Sequence, residues 1–498
     1  MHSHKAIKNV VISLIYQFIN LLFGFFVPRA LIFTYGSDVN GLTSTMTQIL
    51  NLVSLLQTGM VGASIFEMYK PIINNDLEIE ASIYNSSKKY FKKMSLWFLL
   101  VLSLMIPYLL LTNSSKITSY EIIVSVLFLT CNSYINFRFY TCFDIVFSAH
   151  EDKYLIIYSQ VIERVTYYFF IILSISLKLN FIFIYFGMLS GGVLKTIYCH
   201  IHFNKTYKDR YRKIIPKEYK IKNQYYLFCN QIVQQVLESI PIILITGIYD
   251  LSHSSIYSIY LMIMNVIKLC INTILNALSA SFGQKTVELD IDGISEVYDF
   301  LNFIIFLITV VSLPLFSALI NGFIQIYTSG LNHINYINTT ISLLCIFYLI
   351  SYVFYSISDF VVVNLGLFKK TFKSTVFVGS ISVLITFIFT IIDFSCTFIG
   401  LIVFYIILSV LRFRITSYKL NYKYRLILGR AVLIIVMSLI FYRISYLILI
   451  NSLKMFICVG MVSLILILLC TMIYCVLFEK RNLKLVIFFL KNNFYRRN

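Results

Sequence analysis

Charged residues are scarce in this chain: Asp, Glu, Lys and Arg together make up 13% of its 498 residues. A soluble domain usually carries about 25% charged residues, so this composition excludes an ordinary water-soluble fold. Apolar residues make up 59% of the sequence. Because a single soluble core stops growing beyond roughly 250–300 residues, lipid must cover part of this apolar surface.

Proline, glycine and paired cysteines are also few. The six prolines and eighteen glycines exclude a collagen-like or low-complexity chain. The ten cysteines are spread singly, without C-x-x-C or zinc-binding spacing, and are interpreted as small buried apolar residues. The sequence also lacks G-x-x-x-x-G-K-[ST], G-x-S-x-G and H-E-x-x-H motifs. These absences predict a chain that is not an enzyme and that uses no cofactor and no metal.

Long apolar runs dominate what is present. A membrane-spanning helix needs about 20 apolar residues, and the chain contains about fourteen runs of that kind. The first run, Val10 to Phe33, is too long for a cleavable signal and lacks a small-residue cleavage site, so we expect it to remain as the first span. The predicted fold class is therefore an all-α integral membrane protein with about 14 transmembrane helices.

The net charge of +19 is distributed in a way that argues against a nucleic-acid partner. Basic residues lie in short segments between apolar runs, where the positive-inside rule places them. With a cytoplasmic N-terminus, about 31 of the 41 basic residues lie inside and about four lie outside. The sequence thus predicts that both termini are cytoplasmic, with anionic membrane lipids as partners of the basic segments.

A long basic loop at 204–224 divides the apolar runs. It separates an N-terminal six-helix bundle, 1–203, from a C-terminal six-helix bundle, 225–425. An extra helix pair follows at 426–478, and a basic cytoplasmic tail at 479–498. Duplicated helical halves are common in secondary transporters, where the substrate site lies between the halves.

Charged residues inside the predicted spans are the candidate site residues, because a charge at the bilayer centre costs at least about 2.5–3.5 kcal/mol. In the functional interpretation, four cations form the positive wall of a cavity for an anionic substrate: Arg29, Arg138, Arg164 and Lys268. Three acids then either pair with cations or carry a coupling ion: Glu163, Glu238 and Asp359. The alternative is that some of these residues form structural pairs or extend towards the membrane surface.

Two prolines lie deep inside predicted spans. Pro28 and Pro241 each begin a P-x-x-L-I sequence near the outer end of an odd-numbered helix. A proline removes one helical hydrogen bond and kinks the helix. Both are therefore candidate hinges for a transporter, with a static kink as the alternative.

Three stretches resemble bacterial polysaccharide-repeat flippases of the Wzx type. At the start of the second span, Tyr35 to Leu42 is followed by Gln57-Thr58-Gly59-Met60 and by Tyr69-Lys70. Arg29 and Gly36 fill the R-x-x-x-x-x-x-G pattern of that family. Weaker similarities occur at Asn364 to Thr371 and at Ser279 to Gly283, and the small residue usual in the family is absent where Gln57 stands.

The resemblance implies a member of the multidrug/oligosaccharidyl-lipid/polysaccharide exporter superfamily, with two six-helix bundles in a V plus the extra pair. It implies a monomer in the bacterial cytoplasmic membrane that moves undecaprenyl-diphosphate-linked oligosaccharide by alternating access, for O-antigen or capsule assembly. The polysaccharide polymerase and glycosyltransferases are its expected partners, and Arg29 is the site residue that the family pattern supplies.

Two other functions of the same fold stay open. A multidrug or small-molecule antiporter would be expected to line its cavity mainly with acids, since most exported drugs are cations. A peptidoglycan-precursor flippase shares the cationic cavity and the fourteen helices. A multispan glycosyltransferase or polymerase is less consistent with the sequence, because that class usually carries catalytic acids in long outer loops.

Overall fold

The computed structural model describes residues 2–112, 117–207, 211, 225–288, 290–330, 334–420, 425–447, 450 and 452–484. Within these residues every regular element is helical. The helices pack into two compact units, Met1–Ser258 and Ile259–Asn498. The six-plus-six division at 204–224 remains a prediction, because most of that loop, like the tail beyond 484, lies outside the described residues.

Unit 1 contains nine helices and the start of a tenth, among the residues that the structure describes. They are α1 (His2–Tyr35), α2 (Ser37–Ile73), α3 (Leu77–Ser103), α4 (Met105–Leu111), α5 (Ser119–Ile135), α6 (Thr141–Ala149), α7 (Lys153–Ser176), α8 (Ile182–Thr206), α9 (Tyr225–Ile248) and α10 (Leu251–Glu288). A π-helical turn, Asn136–Tyr140, joins α5 to α6.

Unit 2 contains the rest of α10 and six further helices in its described part. They are α11 (Ile291–Tyr327), α12 (Thr339–Asn364), α13 (Phe368–Ile392), α14 (Phe398–Leu420), α15 (Arg425–Leu447) and α16 (Leu453–Phe478). A 3-10 turn, Phe394–Thr397, precedes α14.

Fourteen candidate membrane spans are present in the described residues, by length and composition. They confirm the expectation of about fourteen spanning helices. The fourth span, Ser119–Ala149, is built from α5, the π turn and α6. The twelfth, which is the shortest apolar run of the sequence, becomes Phe394–Tyr418 once the 3-10 turn is included.

Local sequence signals set the helix boundaries. Gly36 has a φ of 93°, a conformation that favours glycine, and it breaks the chain between α1 and α2. Thr118 and Glu121 form a reciprocal capping box at the start of α5. Asp290 and Asn338 accept hydrogen bonds from the first turns of α11 and α12.

Close helix contacts in unit 1 depend on small residues in α8. A Cβ at Gly191 would lie 2.7 Å from the backbone oxygen of Glu163 in α7. A Cβ at Gly192 would lie 1.8 Å from Oδ1 of Asn132 in α5. Small residues let membrane helices approach closely, so this pair holds α5, α7 and α8 together at mid-depth.

The C-terminal pair packs on α11 in unit 2, where α15 and α16 both contact it. Ala318 of α11, Phe441 of α15 and Ile467 of α16 are buried in one apolar cluster. Most of α16 is nevertheless exposed and apolar, with 17% of its span window buried. An exposed helix of this composition is suited to contact with lipid acyl chains.

Candidate functional site

Glu163 forms an ion pair across α7 and α8. Its Oε2 accepts a hydrogen bond from Nζ of Lys195 at 2.7 Å. The Lys195 ammonium also lies 4.2 Å from the ring centroid of Tyr140. Because the two charges neutralise each other, the pair lowers the cost of keeping both residues within the spans.

Asp359 forms a second ion pair, between α12 and α14. Its carboxylate accepts a hydrogen bond from Arg412, whose side chain is 2% exposed. The Arg412 guanidinium also lies 4.5 Å from the Tyr355 ring centroid and contacts the Thr375 hydroxyl. From the sequence, Arg412 belongs to the basic segment at the end of α14, so this pairing was not predicted.

Arg138 differs from these residues because, within the described part of the chain, it forms no ion pair and no hydrogen bond. It lies half-buried in the π turn, 5.6 Å from the centroid of the neighbouring Phe139 ring. The turn closes through a backbone hydrogen bond from Thr141 to Asn136, and the Thr141 hydroxyl donates to the same carbonyl at 3.0 Å. Gln57 of α2 donates to that hydroxyl at 2.6 Å.

Arg164 and Arg29 are the other two predicted cations of unit 1. Arg164 is half-buried, hydrogen bonded to Tyr16 of α1, and close to Glu163 and Tyr168. Arg29 is exposed on α1, directly after Pro28. The structure thus places Arg29 at the surface of unit 1 and Arg164 in a contact between α1 and α7.

Lys268 is buried in α10 of unit 2, where it is surrounded by tyrosines. Its ammonium donates to the Tyr348 hydroxyl at 3.1 Å and lies 4.8 Å from the Tyr352 ring centroid. Tyr352 in turn donates to Oδ1 of Asn272 at 2.8 Å. Tyr405 packs against both tyrosines. This cluster combines a cation with aromatic faces and hydroxyl groups, which suit an anionic sugar derivative.

Glu238 and the two prolines lie within continuous helices. Glu238 is half-buried in α9, and Pro241 follows in the same helix. Pro28 lies inside α1. The roles of Pro28 and Pro241 as hinges and of Glu238 as an ion-coupling residue remain predictions.

A buried charge network in unit 2 was not found from the sequence. Arg430 of α15 donates to both carboxylate oxygens of Glu479, at 2.7 and 3.0 Å, and to Asp299 of α11 at 3.1 Å. Asn482 donates to Glu479 and Asp299 at 2.9 Å. The Arg430 side chain is 3% exposed. The network connects the residues after α16 to α11 and α15. The sequence signal that could have revealed it is Glu479, an acid directly after the apolar helix α16.

No cluster of three or more His, Cys, Asp and Glu side chains lies close enough to hold a metal ion in the described part of the chain.

No protein-family model matches this sequence, and no protein of curated function matches it. Solved structures match its fold. An inward-facing multidrug resistance MATE family transporter of the MOP superfamily matches with a TM-score of 0.68 and 13% identity, covering 84% of this chain and 98% of the other. The lipid II flippase MurJ in an inward closed conformation matches with a TM-score of 0.62 and 15% identity, covering 94% of this chain and 99% of the other.

A third match is a MOP superfamily transporter from Pyrococcus furiosus Vc1, for which a binding pocket of reverse polarity is described. Its TM-score is 0.57 at 12% identity, and the match covers 84% of this chain and 95% of the other. Together the matches show that this chain has the fold of MOP superfamily transporters and of the lipid II flippase. They agree with the fold expected from the sequence.

Proposed function

We propose that this protein is a flippase that moves undecaprenyl-diphosphate-linked oligosaccharide repeat units across the bacterial cytoplasmic membrane. The translocated unit serves surface polysaccharide assembly, as O-antigen or capsule, and the mechanism is alternating access. Its partners are the glycosyltransferases that build the unit, the polymerase that consumes it and the anionic lipids around it. The protein acts as a monomer with both termini in the cytoplasm.

The observation that carries this proposal is the position of the positively charged Arg138 within the fourth span. Among the described residues Arg138 forms no ion pair, and a charge retained in this way within a span costs at least about 2.5–3.5 kcal/mol. Lys195 and Arg412, in contrast, are neutralised by acids. A diphosphate offers two negative charges and several acceptor oxygens, and the planar guanidinium binds such groups with paired hydrogen bonds. We assign Arg138 to the diphosphate on this basis.

Lys268, Arg164 and Arg29 are the further cations that we assign to substrate binding. Lys268 is the strongest of the three, because its ammonium lies among the rings of Tyr348 and Tyr352. Aromatic faces stack on sugar rings, and a cation beside them suits a phosphate or an acidic sugar. Glu163 and Asp359 pair with cations. Glu238, half-buried in α9, remains a candidate for a coupling ion or a pairing residue.

The C-terminal helix pair supports a lipid-linked substrate. The match to the lipid II flippase covers 94% of this chain, whereas the matches to the two transporters each cover 84%. The difference, about a tenth of the chain, is about the length of two spanning helices. The exposed apolar face of α16, of whose span window 17% is buried, is where we propose that the isoprenoid tail lies against the protein.

A second candidate function is translocation of a peptidoglycan precursor, which the extent of the match to the lipid II flippase favours. The two substrates share the undecaprenyl diphosphate and differ in the attached glycan. A cationic-drug antiporter has less support, because Arg138 carries a positive charge within a span and has no acidic partner among the described residues.

The test is complementation in a bacterial strain that lacks its own repeat-unit flippase. The wild-type chain is expected to restore surface polysaccharide, and Arg29→Ala, Lys268→Ala and Arg138→Ala are each expected to abolish it while the protein still inserts. The control is Arg414→Ala, since Arg414 is exposed near the end of α14. Normal polysaccharide with all three variants would overturn the assignment, and restored growth of a strain depleted of its lipid II flippase would favour the second candidate.

A further inference from the structure

Four lysines lie close together on the surface of α3, in unit 1. They occupy two successive turns of the helix and all four are exposed: Lys88, Lys89, Lys92 and Lys93. Residues four apart on a helix are neighbours on one face, so the lysines form two adjacent pairs of like charge. Within the described part of the chain, none of the four forms an ion pair. An anionic partner would relieve the repulsion between them.

The same side of the third span continues as exposed apolar surface. Leu96, Leu100 and Leu104 follow at steps of three or four residues, and they are 58%, 54% and 61% exposed. Such steps keep side chains on one face of a helix, so these leucines continue the line of the lysines. The α3 stripe is defined by Lys89, Lys93 and these three leucines. It is charged at one end and apolar at the other, as a phospholipid is.

Trp97 marks the boundary between the charged and the apolar end of the α3 stripe. It is the single tryptophan of the chain, lies one turn after Lys93 and is 55% exposed. Tryptophan is enriched at the membrane–water interface. From Lys93 to Leu111, where the third span ends, the chain rises through about 18 residues, or roughly 27 Å, which is close to the thickness of the hydrocarbon core. The lysines therefore lie at the depth of the lipid headgroups, and the leucines lie at the depth of the acyl chains.

We propose that the α3 stripe is a binding site for one anionic phospholipid of the phosphatidylglycerol type. The two lysines of the stripe bind the phosphate, and an acyl chain lies along its three leucines. Lys88 and Lys92 flank the phosphate and increase the positive potential there. With the N-terminus in the cytoplasm, the lipid belongs to the inner leaflet. The site holds the third span at a fixed depth and does not depend on which substrate the protein transports.

Charge complementarity selects an anionic phospholipid over other occupants. A lysine near an anionic membrane surface strengthens association about fivefold. A zwitterionic headgroup carries its own ammonium group, which the lysines repel. Lysine binds phosphate as a point charge, so the site discriminates by headgroup charge rather than by headgroup shape. A soluble protein cannot cover the stripe, because its apolar end lies at the depth of the acyl chains.

The fluorescence of Trp97 tests this site specifically, because the chain has no second tryptophan. The purified full-length protein is reconstituted into vesicles of phosphatidylcholine and phosphatidylglycerol, and only one of the two lipids carries brominated acyl chains. Bromine quenches tryptophan fluorescence on contact, so the two labelling schemes give the relative association constant of the two lipids beside Trp97. The wild type is expected to prefer phosphatidylglycerol about tenfold at low salt, as two lysines that contact the phosphate predict.

Two double variants separate the charge of the stripe from its shape. Lys89→Gln/Lys93→Gln is expected to lower the preference at least about fivefold, whereas Lys89→Arg/Lys93→Arg keeps the charge and is expected to match the wild type. The matched control is Lys369→Gln/Lys373→Gln, which removes two exposed lysines with the same spacing at the start of α13 in unit 2. This control is expected to leave the preference measured at Trp97 unchanged.

Equal quenching by the two brominated lipids in the wild type, or an unchanged preference in the glutamine variant of the stripe, would overturn the proposal. A salt titration of the wild type decides the matter even if that variant misfolds, since screening should bring the preference towards one at about 1 M salt. A preference that salt does not change would contradict a site based on charge. Undecaprenyl diphosphate at a small mole fraction is expected to leave the quenching unchanged; displacement of the brominated phosphatidylglycerol would show that the stripe receives the lipid-linked substrate instead.

Discussion

At the level of single residues, the charges inside the spans fall into two groups. Glu163 with Lys195, and Asp359 with Arg412, form direct ion pairs. Arg138 forms none within the described residues, and Lys268 lies against the hydroxyl and rings of tyrosines. Under the proposed function, the first group holds helices together and the second group binds the ligand.

One prediction concerns the Asp359–Arg412 pair. Asp359→Asn removes the charge that compensates Arg412, and a buried cation without its partner costs about 3–5 kcal/mol. The variant is expected to lose about that much stability in a detergent-solubilised thermal unfolding assay. The double variant Asp359→Asn/Arg412→Met removes both charges and should recover most of the loss.

The control for this prediction is Glu296→Gln, which breaks a solvent-exposed pair with Arg481. Exposed pairs contribute about 0–1 kcal/mol, so little change is expected. If the Asp359→Asn variant is as stable as the Glu296→Gln variant, the pair of Asp359 with Arg412 does not stabilise the folded protein.

The depth of a residue along an apolar run makes Arg138 and Lys268 candidate site residues, and their role in substrate binding remains a prediction. Depth does not reveal which charged residues pair with each other. The pair of Asp359 with Arg412, for example, joins two helices that are not neighbours in the sequence. Arg430 and Arg412 lie near helix ends, where the positive-inside rule predicts unpaired basic residues. Both are nevertheless almost fully buried.

At the level of helices, the contact of α2 with α9 and the start of α10 is polar and close. Asn40 donates to the Ser255 hydroxyl at 2.8 Å, and the hydroxyls of Thr45 and Thr246 are 2.6 Å apart. A Cβ at Gly41 would lie 1.8 Å from the carbonyl oxygen of Leu251. This separation is compatible only with glycine unless one of the helices moves.

A second prediction follows from this contact. Gly41→Ala is expected to cost about 1–3 kcal/mol of stability, because a new methyl group meets backbone atoms that do not yield easily. Gly62→Ala in the same helix is the control: among the described residues, no other helix approaches its Cβ position within 4 Å, and alanine favours the helix by up to about 1 kcal/mol. Thermal unfolding of both purified variants checks the prediction, and equal stability of the two would contradict the close approach of α2 to Leu251.

The helices themselves were largely predictable from apolar run length, and the interruptions were not. The fourth span reads as one run in the sequence, whereas the structure divides it at Asn136–Tyr140. The sequence Asn-Phe-Arg-Phe-Tyr contains neither proline nor glycine, so nothing local marks the turn. The residue that closes the turn, Thr141, is contacted by Gln57, which lies 84 residues away in sequence.

At the level of the whole molecule, fourteen spans agree with the count expected from the sequence. The fold is that of MOP superfamily transporters and of the lipid II flippase. The membrane orientation and the identity of the glycan remain predictions, since the first depends on the distribution of basic residues and the second on a degenerate sequence resemblance. A fold of this kind serves more than one substrate, so function must be tested at the site.

The most direct test of the central claim is transport by the purified protein in proteoliposomes, with a lipid-linked oligosaccharide in the inner leaflet and a glycan-specific lectin added outside. The wild type is expected to make the glycan accessible to the lectin, and Arg138→Ala is expected to reduce the rate at least about tenfold. Arg443→Ala, at an exposed position near the end of α15, is expected to match the wild type. No transport by the wild type, or equal rates for the wild type and Arg138→Ala, would contradict the claim.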